Sequence, residues 1–583
     1  MMIEMNYLQI LQENKKLADK EFKKYINVEV LSNITLNNIS VVLEYFLRIY
    51  DAQIQIFLGG YDTILPDSFV IKDNKDSVTI ILWEASNFYE QLNYKIESYS
   101  DHQIEILISE KTKEIEILLN NLKHKKLVLF NKFSSLLFTT NQLSETKFDK
   151  LCKRLNEFLE NLQKSNLLLV DINKVISETS VSLAYNRRQY YTSKSLYTPA
   201  FIIKYVEFIL PSILYANGLV KKALILDCDN TLWKGILGED GIEHVKLTPN
   251  DGGYYFEEVQ HIIVSLAKKG VIICLCSKNN ITDVDEMFEK RMKVLTYEHI
   301  AAKKINWESK ASNIEALAQE LNIGIESMVF VDDSKFEINL IRELLPQVKT
   351  FIVPEDSSLY PQTMHDIAKE FFSLQNTSED NQRIKMYQIE AERNNEKNKI
   401  GDLEQYIDSL KLEILVYKNN HKHLERITQL CQKTNQFNIS TKRYSETDIK
   451  NFLNQPEKYT IFTFSVNDKY GEYGIVGLAI ILYQDVNKAF IDTWLMSCRV
   501  MGRNIEFVFF NFLINKMKEK NIDKLHTIYT KTKKNIPVEG IFETLGFTQN
   551  SSLSNDTDVS YQLDTTSYKN IIRNKIKINY NDY

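Results

Sequence analysis

Apolar and polar positions alternate along this chain in two rhythms. Short apolar runs, "VEVLSN" (28–33), "QIQIFLG" (53–59), "VTIILW" (78–83), "KLVLF" (126–130) and "NLLLVDIN" (166–173), have the length of buried strands. Between some of them, "NNISVVLEYFLRIYD" and the segment 99–123 carry apolar residues at helical spacing. Strands alternating with helices predict a parallel sheet covered on both faces. A helical stretch, "TPAFIIKYVEFILPSILYANG", follows, and Pro211 is expected to kink or divide it.

The same rhythm restarts at Lys222. Strands are predicted at "KALILDCD" (222–229), "VIICLCS" (271–277), "SMVFVDD" (327–333) and "KTFIV" (349–353), with helices over roughly 254–269, 282–291 and 309–321. Residues 373–399 are polar with helical charge patterning and read as a linker helix. A third unit follows, with helices near 402–410, 421–434 and 503–519. Its strands are expected near 459–466, 474–483, 488–495 and at "LHTIYTK". The chain from Thr548 is polar and then basic, and reads as a tail. The expected organisation is therefore three α/β domains: 1–190, then 220–372 after a helical connection at 191–219, then 400–550 after the linker, with a tail at 551–583.

Composition narrows this picture. The net charge is −6 with the signs well mixed, which argues against nucleic acid as the main partner. Six cysteines are scattered without a pairing or zinc pattern, and the N-terminal stretch lacks the apolar core of a signal peptide. No uncharged apolar run approaches the ~20 residues of a membrane span. A cytoplasmic protein is the expectation.

The chemistry concentrates in "LILDCDNTLWKGILGEDG", Leu224–Gly241. Ligands of parallel α/β sheets bind beyond the carboxyl ends of the strands. Asp227 and Asp229 lie at such an end, and two carboxylates this close call for a compensating cation. Mg²⁺ suits one or two carboxylates plus phosphate oxygens. Asp332 and Asp333 end a second strand, Ser277 ends a third, and Lys310 opens a helix in "NWESKASNI". Together these features read as a phosphoryl-transfer site. Gly235, Gly238 and Gly241 fit a short hairpin flap, which leaves no room for a large cap domain.

D-x-D-x-T, then Ser, Lys and D-D in this order resembles the haloacid dehalogenase (HAD) phosphotransferases. The resemblance implies Asp227 as nucleophile, Asp229 as general acid and base, and Thr231 as loop and phosphate contact. It implies Ser277 and Lys310 as phosphoryl clamps. Mg²⁺ would be held by Asp227, the Asp229 backbone carbonyl and Asp332, and Asp333 would orient Lys310 or a metal-bound water.

"LDCDNTLWKGILGEDG", "CSKNN", "INWESKASNI", "VFVDDS", "LCQKTNQFNISTKRY" and "WLMSCRVMGRNIE" together look like the FkbH-like proteins, the HAD-IIIC group. That resemblance implies an enzyme of polyketide-type pathways. It would remove phosphate from 1,3-bisphosphoglycerate and load glyceryl as a thioester on the phosphopantetheine arm of an acyl carrier protein. Cys276 would relay the acyl group, with a nearby cation lowering its pKa. Cys274 and Cys228 read as core. Two other readings stay open: a stand-alone phosphatase, and a non-catalytic scaffold that binds a carrier protein.

The third unit resembles GNAT-type N-acyltransferases. Arg499 and Gly502 match their R/Q-x-x-G-x-G/A loop, while Asn504 replaces the final small residue. A carrier-arm site at Asn435, Arg499 and Gly502 is the expectation there. The N-terminal domain resembles a degenerate SGNH hydrolase. Ser32 and Asn33 follow its first strand without the Gly-Asp of that class, and "LAYNRRQYYTSKS" offers no histidine, so Ser32 lacks a base.

Overall fold

A computed structural model describes residues 5–582 apart from 23, 37, 139–143, 163, 165, 374–402, 533, 551–556 and 572–574. The expected linker helix thus lies almost wholly outside the described residues. The chain divides into two compact units: 2–219 with 444–448, and 220–443 with 449–583.

The first unit holds strands β1 (Lys24–Ser32), β2 (Ala52–Tyr61), β3 (Ser77–Leu82), β4 (Leu127–Asn131) and β5 (Leu167–Val170), all parallel in the order β2-β1-β3-β4-β5. Every residue of β3 and β4 is buried, as expected of strands covered on both faces. Helix Pro199–Ala216 is continuous through Pro211, contrary to the expectation of a break if the helix were divided there. It is long and apolar enough to cross a membrane, but 67% of it is buried inside the fold. That burial marks a core helix, whose packing compensates the hydrogen bond that proline removes.

The second unit contains two sheets. Its first is parallel and five-stranded: β6 (Ala223–Leu226), β7 (Ile272–Ser277), β8 (Ile300–Ile305), β9 (Met328–Asp332) and β10 (Lys349–Ile352), in the order β10-β9-β6-β7-β8. Leu226 pairs with both Leu275 and Val331, so the residues just beyond these strands share one rim. The strand order reverses between β6 and β9, which makes that rim the expected binding crevice. Strand β8 has no counterpart among the predicted strands. It is an edge strand, and Lys303 and Lys304 on it pair with Asp285 and Glu320.

The second sheet is mixed. It contains β11 (Glu413–Lys418), β12 (Phe437–Asn438), β13 (Tyr459–Asp468), β14 (Gly471–Asp485), β15 (Lys488–Met496), β16 (Lys524–Thr530), β17 (Thr548–Gln549), β18 (Asp558–Asp564) and β19 (Lys577–Asp582). The tail expected at 551–583 is not a tail. Strand β18 pairs with β16, and β19 pairs in parallel with β11, with Lys577 on Glu413 at 2.8 Å. Lys577 of β19 meets Glu413 of β11, a pairing that the composition of the segment alone conceals. β15 and β16 pair in parallel only over Lys488–Ile491 and Lys524–Thr527, and beyond that they separate.

Candidate active site

Backbone pairing extends one residue past β6: the Asp227 N–H donates to the Val331 carbonyl at 3.0 Å. The chain then turns at once. The N–H groups of Thr231 and Leu232 both reach the Cys228 carbonyl, and Asn230 takes a left-handed φ of 52°. Asn230 holds this turn by accepting the Gly235 N–H at 3.0 Å, and its side chain also hydrogen-bonds Asp333. Asn tolerates such a φ better than most residues. Gly235 has φ +114°, and a Cβ there would meet an Asp240 oxygen at 2.7 Å. The flap therefore needs its glycine, although its tip is a short helix, Leu237–Asp240, rather than a plain hairpin.

Three carboxylates converge on the rim. Asp227, Asp332 and Asp333 each place an oxygen within 4.8 Å of the others. Lys310 Nζ lies 2.6 Å from Asp332 Oδ2 and 3.1 Å from Asp227 Oδ1. Burial works against the ammonium, but the two carboxylates outweigh it and hold the Lys310 pKa above its ordinary value. Burial and the Asp227 charge push Asp332 up to about 6 despite Lys310, and push Asp333 up as well. One lysine against three carboxylates, two of them buried, leaves negative charge uncompensated, so the donor set fits a hard divalent cation. Lys310 is held by Asp332 and Asp227, so of the two roles expected for Asp333, orienting Lys310 or a metal-bound water, the first falls to its neighbours.

Asp229 faces a different set of partners. Its Oδ1 accepts from Trp233 Nε1 at 2.9 Å and from the Leu237 N–H at 3.0 Å, and its Oδ2 accepts from Asn279 Nδ2 at 2.9 Å. Burial raises its pKa, the Leu237 and Trp233 bonds oppose this, and the Asp227 and Asp333 charges add to it. The Asp229 side chain is thus tied to the flap and to the loop after β7, and lies outside the carboxylate cluster. The role toward a metal expected of Asp229 is through its backbone carbonyl, and its side chain is engaged with the flap and Asn279.

The remaining residues divide. Thr231 is fully buried, and its hydroxyl has no hydrogen-bond partner among the described residues; its carbonyl accepts from the Tyr360 hydroxyl at 3.1 Å. The Ser277 hydroxyl, 2% exposed, bonds the Cys228 thiol. Cys276 is 0% exposed, with its thiol 3.9 Å from the Lys310 carbonyl oxygen. Burial pushes that thiol up to about 12, against the pull of Lys310. The expected activating cations are engaged elsewhere: Lys310 with the carboxylates, and Lys278 with Glu337 at 2.7 Å. Burial thus outweighs the pull of Lys310 on Cys276, and Mg²⁺ is the remaining cation expected to lower its pKa. Cys274 and Cys228 are core residues, as expected.

Asn279, Trp233, Asn230 and Glu337 were not singled out from the sequence. Trp233 and Asn230 lie inside the quoted D-x-D stretch, and Asn279 inside "CSKNN". A polar residue just past a strand end that already carries Ser277 was the available signal.

In the second sheet one of the three expected carrier-arm residues lines a cavity. Gly502, with φ +72°, lines a cavity of about 490 Å³ with Gln436, Phe437, Met496, Met501 and Phe507. Arg499 is buried, with Nε 3.3 Å from Ser497 Oγ, and Asn435 Oδ1 accepts from Arg443. Neither lines the cavity. Strand β12 lies between the separated ends of β15 and β16: Asn438 pairs with Leu495, and the Thr530 N–H donates to the Ile439 carbonyl at 2.8 Å. Asn504, the departure from the loop pattern, takes a left-handed φ of 61° at the start of helix Ile505–Glu519.

No family model and no curated protein matches this chain. Among solved structures, it is similar to the N-terminal part of a Bacteroides fragilis protein, described as containing a phosphatase domain complexed with Mg. The identity is 22% and the TM-score 0.54, covering 63% of this chain and 99% of that one. The likeness is one of fold. An acetyltransferase of the GNAT family from Desulfovibrio desulfuricans (10% identity, TM-score 0.21, 26% of this chain and 99% of that one) and the ribosomal-protein-S18-alanine N-acetyltransferase of Escherichia coli (14%, 0.21, 27% and 98%) also match.

Proposed function

We propose that the chain is a Mg²⁺-dependent phosphatase and glyceryltransferase that takes 1,3-bisphosphoglycerate and loads glyceryl on an acyl carrier protein. The observation that carries the phosphoryl half is the cluster of Asp227, Asp332 and Asp333, with Lys310 on the first two, at the point where the strand order reverses. Mg²⁺ bound by these carboxylates would neutralise charge developing on the phosphoryl oxygens. Asp227 would attack phosphorus, and Lys310 would steady the phosphoryl group. Asp229, caged by Trp233, Leu237 and Asn279, would protonate the leaving oxygen and then take a proton from water. Thr231 would order the loop from within, and Ser277 would turn from Cys228 to the phosphate when substrate arrives. The acyl half would rest on Cys276: with Asp227 acting on the ester-linked phosphate, the Cys276 sulfur would attack the carbonyl of the acyl phosphate, expel that phosphate together with the thiol proton, and then pass the acyl group to the carrier thiol, whose proton returns to Cys276.

A second reading, a stand-alone phosphatase on another small or glycan-linked phosphate, is favoured by one observation: Cys276 is buried, and burial pushes its thiol pKa up. One experiment separates them. The protein is incubated with Mg²⁺, a 1,3-bisphosphoglycerate-generating mixture and holo acyl carrier proteins, and intact masses are taken. A glyceryl adduct on a carrier, lost in Cys276→Ala, supports the first reading. Phosphate release untouched by Cys276→Ala, with no acylated carrier, supports the second.

A further inference from the structure

Asp229 accepts three hydrogen bonds, and they fall unevenly on its two oxygens. Oδ1 receives two, from Trp233 Nε1 at 2.9 Å and from the Leu237 N–H at 3.0 Å. Oδ2 receives one, from Asn279 Nδ2 at 2.9 Å. A carboxylate oxygen offers two lone pairs, so Oδ1 is full and a proton on Asp229 has room only on Oδ2. The three donors come from separate segments: the turn after β6, the flap and the loop after β7. Asn279 is buried, and its own Oδ1 accepts the Asn280 N–H at 3.0 Å. That second bond fixes which end of the amide faces Asp229, because a flipped amide would set oxygen against oxygen. Asp229 stands beside the nucleophile, since the charges of Asp227 and Asp333 both act on it.

We propose that Asn279 is a positioning residue that makes Oδ2 the proton-carrying oxygen of Asp229, and that this hold suits the chain to phosphate monoesters of aliphatic alcohols. The proposal rests on the phosphoryl half of the reading above and is independent of the acyl half. An aliphatic alkoxide is a poor leaving group and departs with a proton. In the first step an Asp227 oxygen bonds to phosphorus and the bond from phosphorus to the ester oxygen breaks. The Oδ2 proton moves to that oxygen, and an alcohol leaves. In the second step water attacks the same phosphorus and gives a proton back to Oδ2. The Asp227 carboxylate is then released, with inorganic phosphate. Both transfers need one oxygen of Asp229 in one place. Rotation about the Cβ–Cγ bond would exchange the two oxygens, and the three donors oppose it. A nitrophenyl ester expels a stable anion and needs no proton, so it gains nothing from such a hold.

The test uses the full chain with Mg²⁺ and compares 3-phosphoglycerate with para-nitrophenyl phosphate. The readout is kcat/KM, which covers the steps up to loss of the leaving group. Asn279→Ala is expected to lower it at least about tenfold for 3-phosphoglycerate, part of what a general acid contributes, and by no more than about threefold for para-nitrophenyl phosphate. Trp233→Phe removes a donor to Oδ1 and keeps an aromatic ring in the core. The same selective loss is expected of it, and it decides the matter where Asn279→Ala does not fold. An equal loss on both substrates in a folded variant marks a structural role and overturns the proposal, as does no loss on either. Wild-type protein that turns over the nitrophenyl ester alone also overturns it and leaves the phosphoryl reading standing. Wild-type protein that releases phosphate from neither ester overturns both.

Discussion

Two parallel five-stranded sheets in this molecule reach opposite outcomes at the same topological place. In the central sheet the order reverses between β6 and β9, and the residues there are Asp227 and Asp332. In the N-terminal sheet it reverses between β1 and β3, and the residues just beyond are Asn33 and Glu84. Asn33 is spent on backbone: its Oδ1 accepts the Glu84 N–H at 2.8 Å and its Nδ2 donates to the Glu84 carbonyl at 2.9 Å. Asn131 closes the next strand end in the same way, on the N–H and carbonyl of Trp83. The Ser32 hydroxyl donates to the Leu82 carbonyl at 3.0 Å, and the Glu84 carboxyl accepts from the Tyr197 hydroxyl at 2.5 Å. An α/β crevice is thus a position, not a function. Carboxylates short of partners leave one open to a cation and a phosphate, while carboxamides satisfied by backbone seal the other.

Breaking the armed end should have the largest effect. Asp227→Asn is expected to lower Mg²⁺-dependent phosphate release by at least about a thousandfold, measured by released inorganic phosphate. Lys310→Met should cost about a hundredfold, since it removes the cation that faces the developing phosphoryl charge; the readout is kcat for the same substrate. In the sealed end, Asn33→Ala should leave activity per folded molecule unchanged but cost about 2–4 kcal/mol of stability, because it strands the Glu84 backbone groups; denaturant melts read this directly.

The smallest expected effect is a pH dependence confined to the sealed end. Burial pushes Glu84 up to about 7, with the Tyr197 hydrogen bond opposing. The native state then binds more protons than the unfolded chain between the ordinary glutamate range and about pH 7. Stability should fall as pH rises through that window, and the loss is complete above it, amounting to as much as about 3 kcal/mol by pH 8. Glu84→Gln should flatten that part of the stability profile. A profile equally steep in Glu84→Gln would assign the dependence to other groups.

Legibility in the sequence followed the range of the forces involved. The buried strands of both parallel sheets were readable because both their faces are apolar, and the strand-end acids because charge there has no structural use. β8 was missed because an edge strand carries Lys303 and Lys304 outward and loses the continuous apolar run. Strand β19 was missed because its partner Glu413 lies far away in the chain. The Asp229 cage was hidden for the same reason, since Asn279 reaches it across fifty residues. Cys276 follows β7 to a place beside the Lys310 carbonyl, and its burial depends on what packs around it, which spacing does not show.

The contrast between the two sheets is tested most directly by finding the covalent intermediate. The protein is mixed with Mg²⁺ and acetyl phosphate, quenched, reduced with borohydride and mapped by peptide mass spectrometry, which converts an aspartyl phosphate to homoserine. The account predicts homoserine at position 227, none at 227 when Mg²⁺ is chelated beforehand, and no modification at Ser32. An unmodified Asp227 under conditions of measurable phosphate release, or a phosphorylated residue at the strand ends of the N-terminal sheet, would contradict it.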